Sequence, residues 1–118
     1  MARVAALVPD LLFGSKVQAA LRQAGHDVQL LTSEPSDYRA LADLDVLVVD
    51  LTTNELDSAR IAQALKAGGG AGVRTLGFFA HVQPEVRERA LRSGFDQVVP
   101  RSRMAREGAE LVGRLAAG

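Results

Sequence analysis

Short apolar runs typical of β-strands alternate along this chain with segments of helical spacing. The predicted strands lie at residues 3–8, 27–32, 45–51, 74–79 and 96–99. Between them apolar residues recur at helical spacing, as Val17 and Leu21 do in the first helical segment. The pattern predicts five βα units in order, with helices on both faces of a parallel sheet because each crossover must be right-handed.

The connections between these strands determine where functional residues can meet. Five parallel strands favour a flavodoxin-like α/β fold, a (βα)5 three-layer sandwich with sheet order 2-1-3-4-5. Its second helix is predicted to be short, at residues 36–42, with Pro35 and Ser36 as its start signal. Ligands of such sheets bind outside the carboxyl ends of the strands, at the switch point between the first and third strands. We therefore expect a functional rim at residues 9–15, 50–54, 80–84 and 100–103.

Composition restricts the possible classes of function. The chain has 118 residues, about the size of one domain, so we expect a single domain over residues 1–118. Lys and Arg (14) balance Asp and Glu (14), which gives no electrostatic field for nucleic acid or a membrane surface. Cysteine is absent, which excludes disulfides and thiolate chemistry and favours a cytoplasmic location. No apolar segment approaches the roughly 20 residues that span a bilayer, and the apolar start is predicted to be a strand.

Asp50 closes the apolar run 45–50 and is predicted to lie at the rim of a central strand. The simplest interpretation is a polar strand end that caps the following turn through Thr52 and Thr53. The glycine-rich run 68–72 is expected on the opposite rim, because it follows a helix and precedes a strand. It is therefore interpreted as a flexible connection and not as a phosphate-binding loop.

Several segments resemble the receiver domain of two-component response regulators, over essentially the whole chain. The segments TLGFFAHV (75–82), 85–92 and GFDQVVPR (94–101) are similar to the receiver fourth strand, fourth helix and fifth strand. Residues 21–28 are similar to the end of the receiver first helix and its second strand. The resemblance implies a receiver-like fold with a phospho-accepting Asp on the third strand, and Asp50 matches that position.

The magnesium-binding acids of receivers have no full counterpart here. Spacing back from Gly25 puts the expected acidic pair at Val8 and Pro9, which leaves Asp10 as the only nearby acid. Asp10 and Asp50 are therefore the only candidate ligands for Mg²⁺. Because Mg²⁺ needs several oxygen ligands in octahedral geometry, we expect no metal and no other cofactor.

Two further receiver positions also depart from the pattern. The resemblance implies a Ser or Thr on the fourth strand and a Lys on the fifth, and these positions fall on Phe79 and Arg101. Phe79 has no hydroxyl, and the forked guanidinium of Arg101 is not interchangeable with the point charge of a Lys. These departures favour a pseudo-receiver, a non-enzymatic protein–protein interaction and signalling module that works without phosphorylation. The alternative is a receiver that still accepts a phosphoryl group on Asp50.

Two groups of rim residues are candidates for binding a partner. The apolar tripeptide either folds inward as a plug over Asp50 or stays exposed as a partner-binding patch; it comprises Leu11, Leu12 and Phe13. The basic group lies at the start of the last helix, where Ser102 is the expected N-cap, and it comprises Arg101, Arg103 and Arg106. These arginines either bind an anionic ligand or acidic partner, or are solvated side chains neutralised by Glu107 and Glu110.

An enzyme or a small-ligand protein is the alternative from a different class. Its site would bind a flavin, nucleotide or carboxylate through rim residues, namely Lys16, Thr52, Thr53, Arg101 and Ser102. His81 also falls on this rim as an acid, base or ligand, or simply as a loop residue. No Rossmann glycine fingerprint, P-loop or nucleophile elbow accompanies these residues.

The expected partner is another protein, with a second copy of the chain as one possibility. Receivers that resemble this one commonly dimerise through their last two helices. In those helices Glu85 and Arg89, Glu88 and Arg92, and Glu110 and Arg114 have the i to i+4 spacing of intrahelical pairs. Because the chain reaches Gly118 directly after the last predicted helix, we expect any DNA-binding output to pass through another polypeptide.

Overall fold

The computed structural model describes residues 2–53, 55–80 and 84–118, which form one parallel sheet covered on both faces. The strands are β1 (Arg3–Leu7), β2 (Asp27–Leu31), β3 (Val46–Asp50), β4 (Arg74–Phe79) and β5 (Gln97–Pro100). The helices are α1 (Leu11–Gln23), α2 (Ser58–Ala67), α3 (Pro84–Arg92) and α4 (Arg101–Ala117). The sheet order is β2-β1-β3-β4-β5 with every neighbouring pair parallel, which confirms the predicted flavodoxin-like topology.

The second connection differs from its prediction. A 3₁₀ helix (Tyr38–Leu41) stands where a short α-helix was expected at residues 36–42, and its N-cap is Asp37 instead of Ser36. A carboxylate oxygen of Asp37 accepts the backbone N–H of Arg39 at 2.9 Å, which begins the turn one residue later than predicted. So short a segment gains too few backbone hydrogen bonds to propagate an α-helix, and the burial of Leu41 anchors the turn instead.

The core consists of two clusters, one on each face of the sheet. Strand β3 is buried along its whole length and contributes to both, because successive side chains alternate between the faces. Val46 and Val48 pack in the cluster under α1 and α4. Leu47 and Val49 pack in the cluster under α2 and α3. None of the helices in the described part of the chain combines the length and apolar character that crossing a membrane requires.

Gly77 in β4 lies against closely packed side chains on the α2 and α3 face. A Cβ atom at this position would lie 2.6 Å from Cδ1 of Leu51 and 3.2 Å from Cδ2 of Phe95. We expect Gly77→Val to lower the free energy of unfolding by about 1–3 kcal/mol, because the added carbons overpack a closed core. Urea unfolding followed by circular dichroism measures the change.

The matched control is Gly72→Val. A Cβ atom at Gly72 would meet nothing within 4 Å, and its φ is not positive. This variant should stay within about 0.5 kcal/mol of the parent protein. Equal losses from the two substitutions would contradict the packing assigned to Gly77.

Candidate functional site

The candidate site lies at the carboxyl ends of β1, β3 and β5. Asp10 follows β1, Asp50 ends β3 and Arg101 follows β5, so the parallel sheet brings all three to one edge. Asp10 and Arg101 meet directly, with Nη2 of Arg101 donating to Oδ2 of Asp10 at 3.1 Å across 91 positions of sequence. The sequence indicated each residue separately but not the bond between them.

The two carboxylate oxygens of Asp10 accept hydrogen bonds from different parts of the chain. Its Oδ1 caps α1 by accepting the backbone N–H groups of Leu12 at 3.1 Å and Phe13 at 3.2 Å. Its Oδ2 accepts from Arg101, as described above. The N–H of Phe13 and then the guanidinium of Arg101 hold the pKa of Asp10 below its usual value. Asp10 is therefore an ionised cap and ion-pair partner.

Arg101 also stacks on an aromatic ring. Its guanidinium carbon lies 4.0 Å from the centroid of the Phe13 ring, a distance typical of a cation–π contact. The Phe13 ring in turn packs against Phe78, with centroids 5.2 Å apart and ring planes tilted by 52°. Phe78 is the register partner of Asp50 in β4, so the Phe13 ring lies on the sheet face that carries Asp50. Arg101, Phe13 and Asp10 form a unit that we call the arginine clamp.

The apolar tripeptide at the start of α1 divides into two parts. Phe13 is buried, with only 9% of its surface exposed, whereas Leu11 and Leu12 are 62% and 80% exposed. Inward folding and exposure, which were predicted as alternatives for the whole tripeptide, therefore apply to different residues of it. That Leu11 and Leu12 bind a partner stays a prediction.

Asp50 is buried at the end of β3, and one of its oxygens serves the next turn. Oδ1 accepts the backbone N–H of Thr52 at 2.9 Å and also the Thr52 hydroxyl. The hydroxyl of Thr53 instead accepts the N–H of Glu55 at 3.1 Å. Of the predicted capping bonds to Asp50, the structure contains those from Thr52, and Thr53 caps its own turn.

The end of β4 is apolar where it faces α2 and α3. Phe79 is buried in the cluster under these helices, so no hydroxyl stands at that position. His81, which was predicted to lie on the rim, falls outside the described residues.

Of the three arginines in the basic group at the start of α4, only Arg101 belongs to the arginine clamp. Helix α4 begins at Arg101 with Pro100 as its N-cap, so Ser102 is not the predicted N-cap but lies within the first turn. The extended backbone of Pro100 precedes the helix directly, which leaves no capping position for Ser102. Arg103 and Arg106 both approach Glu107, at 3.5 Å and 3.7 Å, and do not join the arginine clamp.

Two ion pairs around α2 were missed at the sequence level. Arg89 of α3 bonds Asp57, the N-cap of α2, at 3.1 Å, and so does not form the predicted intrahelical pair with Glu85. Arg60 of α2 makes a bidentate contact with Glu34 at 2.7 Å and 2.6 Å. Such pairs depend on how the helices are oriented, which the sequence does not show. The predicted intrahelical pair of Glu110 and Arg114 is present, with 3.0 Å between Oε1 of Glu110 and Nη2 of Arg114.

The donor set at the rim fits a magnesium ion poorly. Within residues 2–53, 55–80 and 84–118 no three His, Asp or Glu side chains lie together as a metal cluster. No enclosed side-chain nitrogen or oxygen in these ranges lacks a hydrogen-bond partner. Asp10 already bonds α1 and Arg101. That the protein uses no metal stays a prediction.

The charge on Asp10 should make stability depend on pH. Asp10→Asn keeps an oxygen for the helix cap but removes the charge that faces Arg101. Because the folded pKa of Asp10 is lowered, its stabilisation is present at neutral pH and lost as the pH falls through that folded pKa. The melting temperature of the parent should exceed that of Asp10→Asn near neutrality, and the difference should decrease as the pH falls below the usual aspartate pKa of about 3.9.

The control repeats Asp10→Asn in an Arg101→Ala background, where the difference at neutral pH should shrink because the paired cation is gone. Circular dichroism melts over the acid range measure both series. A difference in melting temperature that does not change with pH would contradict an ionised Asp10 that stabilises the fold.

Comparisons with known proteins identify the fold. No protein-family model matches the chain, and no curated protein does. A response regulator from Thermotoga maritima superposes with a TM-score of 0.83 at 15% identity, over 100% of this chain and 99% of that one. The signal receiver domain of NarL from Mycobacterium tuberculosis has a TM-score of 0.76 at 25% identity, over 99% and 97%.

The Francisella response regulator 1452 receiver domain superposes with a TM-score of 0.79 at 17% identity, over 99% of this chain and 98% of that one. These similarities extend over nearly the whole length of both chains, and they agree with the strand order of the sheet. The chain has the receiver fold of response regulators.

Proposed function

We propose that this chain is an atypical receiver, a pseudo-receiver that binds another protein in signalling without being switched by phosphorylation. The receiver fold supports a signalling role. The arginine clamp is the observation that carries the finer proposal: Arg101, at the position of the receiver Lys, already bonds Asp10 and covers Phe13.

Phosphoryl transfer to a carboxylate needs positive charge to offset the repulsion between the carboxylate and the phosphoryl oxygens. In this chain Arg101 would have to leave both Asp10 and Phe13 to supply that charge. Phe79 offers no hydroxyl to the phosphoryl group. Asp10 already accepts the N–H groups of Leu12 and Phe13 at the start of α1. The three departures act together, because each removes a different contact to the same group.

The exposed leucines at the start of α1 support a role in binding a partner. Leu11 and Leu12 form an apolar surface at the start of α1, next to Asp10 and its partner Arg101. Such a surface is suited to a protein with leucine-sized apolar depressions. We propose such a protein as the partner, and a second copy of this chain as the alternative.

The remaining parts of the proposal concern chemistry and location. We propose that the domain is not an enzyme, requires no cofactor, contacts neither nucleic acid nor membrane directly, and works in the cytoplasm. The balance of 14 basic and 14 acidic residues supports the absence of a nucleic-acid field.

The decisive experiment adds Mg²⁺ and beryllofluoride, which mimics an aspartyl phosphate, to ¹⁵N-labelled protein. We expect the amide spectrum to stay unchanged, because the cation at Arg101 is held by Asp10 and Phe13. The Asp50→Asn variant is the control for nonspecific effects of the salts. Saturable shifts that spread from Asp50 to Arg101 in the parent, and are absent from Asp50→Asn, would instead establish a phospho-accepting receiver.

A second experiment tests whether the leucine surface is free of a structural role. Leu12→Ser should change the free energy of unfolding by no more than about 0.5 kcal/mol, because Leu12 is 80% exposed. Phe13→Ser should cost roughly 3 kcal/mol, because it empties the space between Arg101 and Phe78. Urea unfolding measures both variants, and a large loss from Leu12→Ser would contradict a surface available to a partner.

A further inference from the structure

A cavity of about 550 Å³ opens at the amino ends of β4 and β5, on the opposite edge of the sheet from Asp50. Its walls are the end of α2 with the loop that follows it and the end of α3. Binding cavities for small molecules in proteins typically measure about 300–1,000 Å³. The cavity is therefore large enough for a small organic molecule.

The fold does not require a glycine at position 72, in the wall of this cavity. Gly72 lines the cavity, its φ is not positive, and a Cβ atom there would meet nothing within 4 Å. Gly70 is different, because a Cβ atom there would lie 2.6 Å from Cδ1 of Leu65. Neither backbone geometry nor packing accounts for glycine at position 72, whereas an open cavity does.

The side chains around the cavity have an excess of positive charge. Lys66 is exposed on the wall, and no carboxylate within the described ranges forms an ion pair with it. Arg74 is 44% exposed at the side chain; its Nη2 donates to the backbone oxygen of Gly118 at 2.8 Å, and its Nη1 lies 3.7 Å from Oδ1 of Asp96. Asp96 is the acid of the cavity, and its Oδ2 already accepts the N–H and the hydroxyl of Thr75.

N–H groups of the glycine loop bond three carbonyl groups near the end of α2, with Gly68 donating to Ala64 at 3.0 Å, Gly69 to Lys66 at 3.1 Å and Gly70 to Leu65 at 2.8 Å. The neighbouring wall is apolar at Leu65 and Val73. The cavity thus combines an apolar wall with two cationic side chains.

We propose that this cavity binds a small organic anion, whose apolar body packs against Leu65 and Val73 and whose carboxylate or phosphate faces Lys66 and Arg74. This second site is separate from the arginine clamp. Its occupation does not depend on whether Asp50 accepts a phosphoryl group.

An amide NMR titration with phenyl phosphate and with phenylacetate tests the proposal. We expect saturable shifts at Gly70, Gly72, Thr75 and Gly94, with a dissociation constant on the order of 1 mM for at least one of the two anions. The better anion identifies the head group that the site prefers. Benzyl alcohol, which has the ring without the charge, should bind at least about tenfold more weakly.

Matched variants locate the site. Lys66→Ala should weaken binding by about tenfold, and Gly72→Leu should abolish it by filling the cavity. Lys16→Ala is the control, because Lys16 lies on α1 across the sheet, and it should leave binding unchanged. Gly72→Leu should also stay close to the parent melting temperature, since a Cβ atom at this position would meet nothing within 4 Å.

The proposal is overturned if neither anion produces saturable shifts, if the neutral alcohol binds as tightly, or if Gly72→Leu binds like the parent. Asp50→Asn should bind with the parent affinity, because Asp50 lies at the other edge of the sheet. A loss of binding in Asp50→Asn would contradict the independence of the two sites.

Discussion

The buried strand β3 is the constraint on which the rest of the structure depends. All its residues from Val46 to Asp50 are buried, so both faces of the sheet need a covering layer. Parallel neighbours on each side require crossovers, and these place α1 and α4 on one face and α2 and α3 on the other. The same crossovers bring the residues after β1 and β5 to the edge where β3 ends.

At that edge the guanidinium of Arg101 is held by two side chains of the domain itself. A cation that stabilises a transient phosphoryl group must be available to contact its oxygens. Arg101 instead has two partners within the domain, and its planar guanidinium suits both, since it can bond a carboxylate at its rim while its face lies over a ring. A Lys ammonium has no such flat face, so the clamp depends on the identity of the residue and not only on its charge.

The sequence was sufficient for the architecture because the strands carry strong apolar periodicity and the sheet order follows from crossover geometry. It was insufficient at the second connection, where a 3₁₀ helix forms and its N-cap is Asp37, not the predicted Ser36. The candidate rim was predicted correctly for Asp10 and Arg101 as neighbours of strand ends. Their bond was not predicted, because the choice of partner by a long side chain depends on helix orientations that no short spacing encodes. Arg89 shows the same limit, since it reaches Asp57 on another helix.

Helical geometry explains why the tripeptide after Asp10 divides into a buried part and an exposed part. Asp10 fixes the first residue of α1, and from there Phe13, Val17 and Leu21 recur every fourth position on the buried face. Leu11 and Leu12 precede this stripe and are rotated away from it, so the fold gains little from their burial and loses little from their exposure. Apolar side chains that the core does not use are a solubility cost. The exposure of Leu11 and Leu12 beside the capped end of α1 agrees with the partner surface that we propose.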